Sequence, residues 1–171
     1  MELKEEYEDK NFENKNFSNQ DLSHIKFTDC KFINCNLSNV EIYNTKFQNI
    51  EFIECKIAGL IFSKVSKLTF SPSFKNCLIS NCSFARMKIP KINFSKSQII
   101  SCDFQDTQLM HCNFEECHFK NTEFFHCNLN NATFKRAINF KIDPRNNSLN
   151  KTKFSFPEVI SLLDNFNLES E

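Results

Sequence analysis

Large apolar residues recur at every fifth position along most of the chain. Stepping by five from Tyr7 meets Phe12, Phe17, Leu22, Phe27, Phe32, Leu37, Ile42, Phe47, Phe52, Ile57 and Phe62. The register then slips by two residues and resumes at Phe74, Ile79, Phe84, Ile89, Phe94, Ile99, Phe104, Leu109, Phe114, Phe119, Phe124, Leu129 and Phe134. Asn139 and Pro144 interrupt it before Leu149 and Phe154 return in phase. A repeat of five fits neither the 3.6-residue period of a helix nor the two-residue period of a strand. It predicts a coil whose sides are each five residues long.

Two residues before each large apolar centre, a smaller side chain should also point inward, because extended backbone alternates faces with period two. Cys30, Cys35, Val40, Thr45, Cys55, Cys77, Cys82, Ser97, Cys102, Thr107, Cys112, Cys117, Thr122, Cys127 and Ala132 occupy this position, and all nine cysteines fall there. Two residues after the centre, Asn predominates: Asn14, Asn19, Asn34, Asn39, Asn44, Asn49, Asn76, Asn81, Asn121 and Asn131. Asn is the residue that, after Gly, best tolerates left-handed backbone, so this position reads as a corner.

The units Cys112-Asn-Phe-Glu-Glu, Cys127-Asn-Leu-Asn-Asn and Ala132-Thr-Phe-Lys-Arg resemble the A(D/N)LXX units of the pentapeptide repeat family. The resemblance covers the chain from about residue 5 to residue 154. It implies an all-β solenoid, a right-handed quadrilateral parallel β-helix with four pentapeptides per coil. On four sides one column reads Phe12, Phe32, Phe52, Phe74, Phe94, Phe114, Phe134 and Phe154, provided Ser63–Ser73 accommodates two extra residues. About seven to eight coils at ~4.8 Å each make a rod of about 35 Å. Burial of each ring contributes roughly 1.5 to 3 kcal/mol, enough to stabilise the rod without disulfides or metal. The expected organisation is a β-helix over 1–154, with an irregular first coil at 1–20, a bulge at 63–73 and an irregular stretch at 137–148, followed by a capping helix and tail at 155–171.

A solenoid has to close its ends. At the start, Glu5, Lys10, Lys15 and Gln20 stand at the small inward position and suit a partly solvated coil. At the other end SFPEVISLLDNF predicts an α-helix, with Ser155 and Glu158 at capping-box spacing, Pro157 in the first turn and Val159, Leu162, Leu163 and Phe166 as an apolar stripe. The stripe can seal the last coil. In the family a similar helix also forms two-fold dimers, so the resemblance implies a homodimer through this segment.

The composition, with 21 Phe, one Gly, nine Cys and no Trp in 171 residues, is that of a repeat. No apolar run approaches a membrane span, and the charged start MELKEEYEDK has no signal-like core. The expectation is a cytoplasmic protein with reduced thiols.

Candidate chemistry is sparse. The stretch CNFEECHFKNTEFFHC holds Cys112, Cys117, Cys127, His118 and His126 within sixteen residues, the density of a zinc site. Direction argues against one: the cysteines face the core, the histidines the outer wall, and tetrahedral zinc needs convergent ligands. His24 and His111 sit on turns without a nearby nucleophile, and glycine-dependent phosphate motifs cannot exist with one glycine. No cofactor and no catalytic residue are expected.

Formal neutrality conceals a banded rod. Between Glu54 and Asp103 there is no acidic residue, yet Lys56, Lys64, Lys67, Lys75, Arg86, Lys88, Lys91 and Lys96 lie there. Lys64, Lys67, Arg86, Lys88 and Lys91 form a candidate docking patch for an acidic partner or phosphate, with Leu68 and Phe70 as apolar anchors. The favoured expectation is a solvated surface with Leu68 turned inward to replace the missing core residue. Ile33 and Ile53, outward and stacked, are a second candidate contact. The expected function is a rigid, non-catalytic protein-protein interaction module or scaffold. The alternative is a protector of DNA gyrase or topoisomerase IV, because some members of the family imitate duplex DNA. The basic belt argues against a full-length mimic, since duplex DNA carries a negative charge about every 1.7 Å. Direct nucleic-acid binding is disfavoured because the aromatic rings are committed to the core.

Overall fold

Each five-residue unit folds as one side of a four-sided coil, and each side lies over the side twenty residues earlier. The computed structural model describes residues 4–166. Side one begins with the parallel strands Glu6–Glu8, Lys26–Thr28 and Lys46–Gln48. Side two begins with Asn11–Glu13, Lys31–Ile33, Ile50–Ile53 and Pro72–Lys75, and bridges through Asn93, Asn113 and Thr133 carry it to Lys153–Phe154. Side three stacks Asn36–Ser38, Lys56–Ala58, Leu78–Ser80, Gln98–Ile100 and His118–Lys120. Side four holds Leu22, Ile42, Phe62, Phe84, Phe104 and Phe124, largely through isolated bridges such as Ser83 with Asp103.

The corners explain the abundance of Asn. Every fifth residue from Asp9 to Glu54 and from Asn76 to Arg136 has left-handed backbone, for example Asn14 at φ 52°, Asn34 at 50° and Asn121 at 49°. Many corners close by a β-turn bond, such as Ser97 N–H to Phe94 C=O at 3.2 Å and Cys117 N–H to Phe114 C=O at 3.1 Å. The third residue of such a turn needs positive φ, which Asn adopts at low cost. Corner side chains also bond from coil to coil: Asn34 Nδ2 donates to Asn14 Oδ1 at 2.6 Å, and Asn39 Nδ2 to Asn19 Oδ1 at 3.4 Å.

The core is a ladder of rings. The side-two column from Phe12 to Phe154 is stacked, with neighbouring centroids 4.8 to 5.4 Å apart. Side-four rings meet it edge-on, as Phe94 meets Phe104 at 6.0 Å and 87°. Both arrangements suit the ring quadrupole.

The small inward residues have a further duty. Cys35 Sγ donates to Phe12 C=O at 3.2 Å, Thr45 Oγ1 to Leu22 C=O at 2.8 Å, Thr107 Oγ1 to Phe84 C=O at 3.0 Å and Cys117 Sγ to Phe94 C=O at 2.9 Å. Each donor satisfies the carbonyl of a centre residue in the coil before. Thr, Ser and Cys are therefore equivalent here: small, buried and able to donate.

Three segments depart from the regular coil. In the first coil, expected to be irregular, the backbone already pairs in register, and Asp9, Asn14 and Asn19 make left-handed corners. Its Glu5, Lys10 and Lys15 are exposed. Between Ile50 and Pro72, paired across twenty-two residues, the chain makes two 3₁₀ turns, Phe62–Lys64 and Lys67–Thr69. Leu68 does not turn inward as expected but is 94% exposed. Val65 is buried and Phe70 packs on the core with its ring 5.9 Å from that of Phe62, so the two ends of the detour fill the space and lift Leu68 onto its crest. Near residue 140 the corner comes early, at Asn139 with φ 59°, and Phe140 and Ile142 become the buried residues. Asn147 then stands in the small inward row, accepting from Cys127 N–H at 2.9 Å and donating to Phe124 C=O at 2.8 Å.

The C-terminal helix differs from the expected α-helix. Glu158–Phe166 is 3₁₀. Its three-residue period splits the predicted stripe. Val159 and Leu162 are half-buried, with Leu162 on the core, whereas Ile160, Leu163 and Phe166 form an outward ridge, 41 to 50% exposed. The capping box is not formed, because the Ser155 hydroxyl accepts from Arg136 N–H at 2.8 Å. The remainder of the expected 155–171 segment, beyond residue 166, lies outside the described residues.

Phe94 stacks between Phe74 and Phe114 and is fully buried. Replacement by Ala is expected to cost about 3 to 5 kcal/mol, as a cavity between two rings cannot close without moving both coils. Urea denaturation followed by circular dichroism measures this, and a loss well under ~1.5 kcal/mol contradicts the column as the main support.

Candidate functional site

With the interior committed to packing, whatever the rod recognises must be read from its walls. The thiols offer no site. Cys112, Cys117 and Cys127 are buried on different sides and donate to Ile89, Phe94 and Phe104 carbonyls, respectively. His118 and His126 are exposed, and His126 Nδ1 lies 3.5 Å from an Asp106 carboxylate oxygen. The five residues that suggested a zinc site therefore point to separate places, and among the described residues no three metal-ligating side chains converge. Burial pushes the Cys112 and Cys117 thiols up to about 12 and that of Cys127 up to about 11. Desolvation opposes the charged thiolate, so these thiols are poor nucleophiles.

The basic middle of the rod is different. Lys67, Phe70, Arg86, Met87 and Lys88 line a cleft of about 350 Å³ beside the two-residue detour. Lys67 comes from the detour itself, while Arg86, Met87 and Lys88 lie at the corner into side one of the next coil. The half-buried Phe70 and buried Met87 supply an apolar floor, and the cations supply the walls. Lys64, expected in the same patch, is drawn 3.5 Å from Glu41 and does not line the cleft. Lys91, also expected there, stands at the next corner, with φ 66°.

Partners distinguish these cations. Among the described residues Arg86 has one carboxylate partner, Asp106 at 3.9 Å, while Lys75 is tied to Glu51 at 2.9 Å and Lys96 reaches Glu116 at 4.0 Å. Among the described residues, Lys67, Lys88 and Lys91 have no carboxylate within ion-pair distance. Phe70 and the outward Leu68 lie where the detour breaks the count of five, whereas Met87 stands in the small inward row two residues before Ile89 and is buried there.

The second expected contact, Ile33 and Ile53, is a register pair on side two, half-buried, and Lys75 follows as the next residue in the row. Near the C-terminal end, Arg136 holds Glu115 and Glu116 at 2.7 Å each. The Arg136 guanidinium holds the Glu116 carboxyl below its ordinary range. This network braces a corner. A second cavity of about 350 Å³, lined in part by Phe125, Lys141, Asp143 and Asp164, lies between the last coils and the 3₁₀ helix. Among the described residues no helix is long and apolar enough to cross a membrane.

These features define the class: a four-sided parallel β-solenoid with an aromatic core, left-handed corners every five residues and its variety confined to the walls. A profile of pentapeptide repeats matches residues 11–49, 21–59, 77–115 and 102–138, more than half of the chain. The chain belongs to the pentapeptide repeat family, and its coil is the right-handed quadrilateral β-helix. Among solved structures it is similar to trypsin-treated QnrB1, a plasmid-mediated fluoroquinolone resistance protein. The identity is 20%, over 98% of this chain and 90% of that one, with a TM-score of 0.65. Full-length QnrB1 matches at 19% identity over 95% and 90% of the two chains, with a TM-score of 0.55. Likeness at this identity shows the fold. No curated protein matches the sequence.

Because all nine thiols are buried, a disulfide reagent at pH 8 is expected to label them only as fast as the rod opens. Stopped-flow labelling in native buffer and in urea measures this, and rapid native labelling of Cys112 or Cys117 contradicts the buried row.

Proposed function

We propose that the chain is a rigid, non-catalytic protein-binding rod of the cytoplasm. The observation that carries this reading is the division of labour in the residues: the large and small inward rows are consumed by packing and carbonyl satisfaction, while the partnerless cations and exposed apolar side chains lie on the outside. No pair of nucleophile and base emerges among the described residues, and the cleft of the basic belt is a recognition surface rather than a reaction vessel. The outward ridge Ile160, Leu163 and Phe166, with Phe156 79% exposed beside it, is the surface through which a second copy docks. The half-buried Leu162 packs on the core and so leaves the ridge facing out.

A second reading, protection of DNA gyrase or topoisomerase IV, is supported by the likeness to QnrB1 along nearly the whole chain and by the acidic first coils, which carry Glu6, Glu8, Asp9, Glu13, Asp21 and Asp29. The basic belt interrupts that acidic surface, so any imitation of duplex DNA is confined to the acidic coils.

Two measurements test these readings. Leu163→Glu is expected to convert a dimer to a monomer in sedimentation analysis with the fold unchanged; a wild type that is monomeric at high micromolar concentration removes the ridge as a dimer surface. In a gyrase supercoiling assay with ciprofloxacin, the interaction-module reading expects no protection at micromolar protein. Protection there replaces it with the second reading.

A further inference from the structure

We infer that the cleft between the detour and the coil above it binds an acidic protein segment that carries an apolar anchor. This rests on the protein-binding reading above and names the partner's chemistry. Three independent features support it. The first is charge without compensation. Lys67 and Lys88 line the cleft with no carboxylate partner among the described residues, Arg86 has one at 3.9 Å, and no acid occurs between Glu54 and Asp103. Glu41 pairs with Lys64 at 3.5 Å, and Asp106 is the acid beside Arg86.

The second feature is an apolar component that a phosphate or a nucleic-acid backbone does not require. Phe70 and Met87 floor the cleft, and Leu68 stands almost wholly exposed on the crest of the Lys67–Thr69 turn. An exposed leucine next to partnerless lysines suits an acidic chain that also carries Leu or Phe, which can bury both components at once.

The third feature is a conformational cost retained at this place. Corners elsewhere favour Asn or Asp, but Arg86 and Lys91 hold the two successive corners that flank Lys88, at φ 58° and 66°. A long side chain in left-handed backbone is less favourable than Asn. Lys96, Glu116 and Arg136 form an ion-pair ladder from corner to corner, and Arg86 joins a similar one through Asp106 to His126, whereas Lys91 has no such partner among the described residues. At Lys91 the local preference is broken without that gain, which points to a recognition role.

Binding of a fluorescein-labelled peptide of glutamates and aspartates with two leucines, read by anisotropy at physiological salt, tests the inference. The double variant Arg86→Asn and Lys91→Asn is expected to weaken binding by at least about tenfold while raising the melting temperature by on the order of 2 °C, since Asn suits both corners better. Leu68→Ser, and separately the peptide with its leucines changed to serine, should each weaken binding by roughly fivefold. Lys135→Glu, on a distant coil, should change nothing. Binding that is absent at high micromolar peptide, or insensitive to these variants, overturns the inference. Duplex DNA that competes more strongly than the peptide, with no dependence on Leu68, overturns it in favour of nucleic acid. Photo-crosslinkers placed at Leu68 and at Ile100 on side three separate the two levels. Protein crosslinks at Ile100 alone overturn the cleft and leave the protein-binding reading standing, and crosslinks at neither overturn both.

Discussion

The left-handed corner is the constraint on which the rest of the structure depends. A side only a few residues long can close into a square coil only if the chain bends sharply after each apolar centre, and the bend requires positive φ in a chain with one glycine. Asn is the commonest residue at the corners and also bonds to the corner above or below, so the turn and the stacking reinforce each other. Once the corners are set, the ladder spacing brings the Phe rings to within about 5 Å of one another. The aromatic column is thus a consequence of corner geometry as much as a cause of stability.

The inward row of small residues gives the cysteines a plain physical role. A parallel coil leaves many centre carbonyls in need of a donor, and an inward hydroxyl or thiol reaches them at 2.8 to 3.7 Å. Alanine fits the space but cannot donate, and it occurs at Ala132 and Ala137, which sit in turns already closed by bonds to Leu129 and Phe134. Cysteine thus shares this row with Thr and Ser on grounds of size and the ability to donate.

Most of the scaffold could be read from the period alone, because side, centre and corner repeat the same physical requirement at fixed spacing. The inward cysteines and the Asn corners are of this kind, whereas the Phe12 to Phe154 column follows only once the family resemblance supplies four sides to the coil. The period is silent wherever the count changes. Leu68 looked like a core residue because one was missing there, yet the backbone supplied Val65 and Phe70 instead. The C-terminal stripe was read at 3.6 residues per turn, and a 3₁₀ helix redistributes the same residues between two faces. The candidate recognition residues cluster at such interruptions. The cleft exists because two additional residues push one side out of the stack, and residues brought together by that detour share no sequence spacing.

Stiffness along the rod has a consequence for anything bound to it. Each described coil is bonded to its neighbours and the stacked rings between them are close-packed, which fixes the spacing of one coil on the next. The basic cleft beside Phe74 and the terminal ridge beyond Phe154 are four coil steps apart, about 19 Å at the ordinary strand spacing. Groups carried at these two places are therefore held at a set distance by the coils between them.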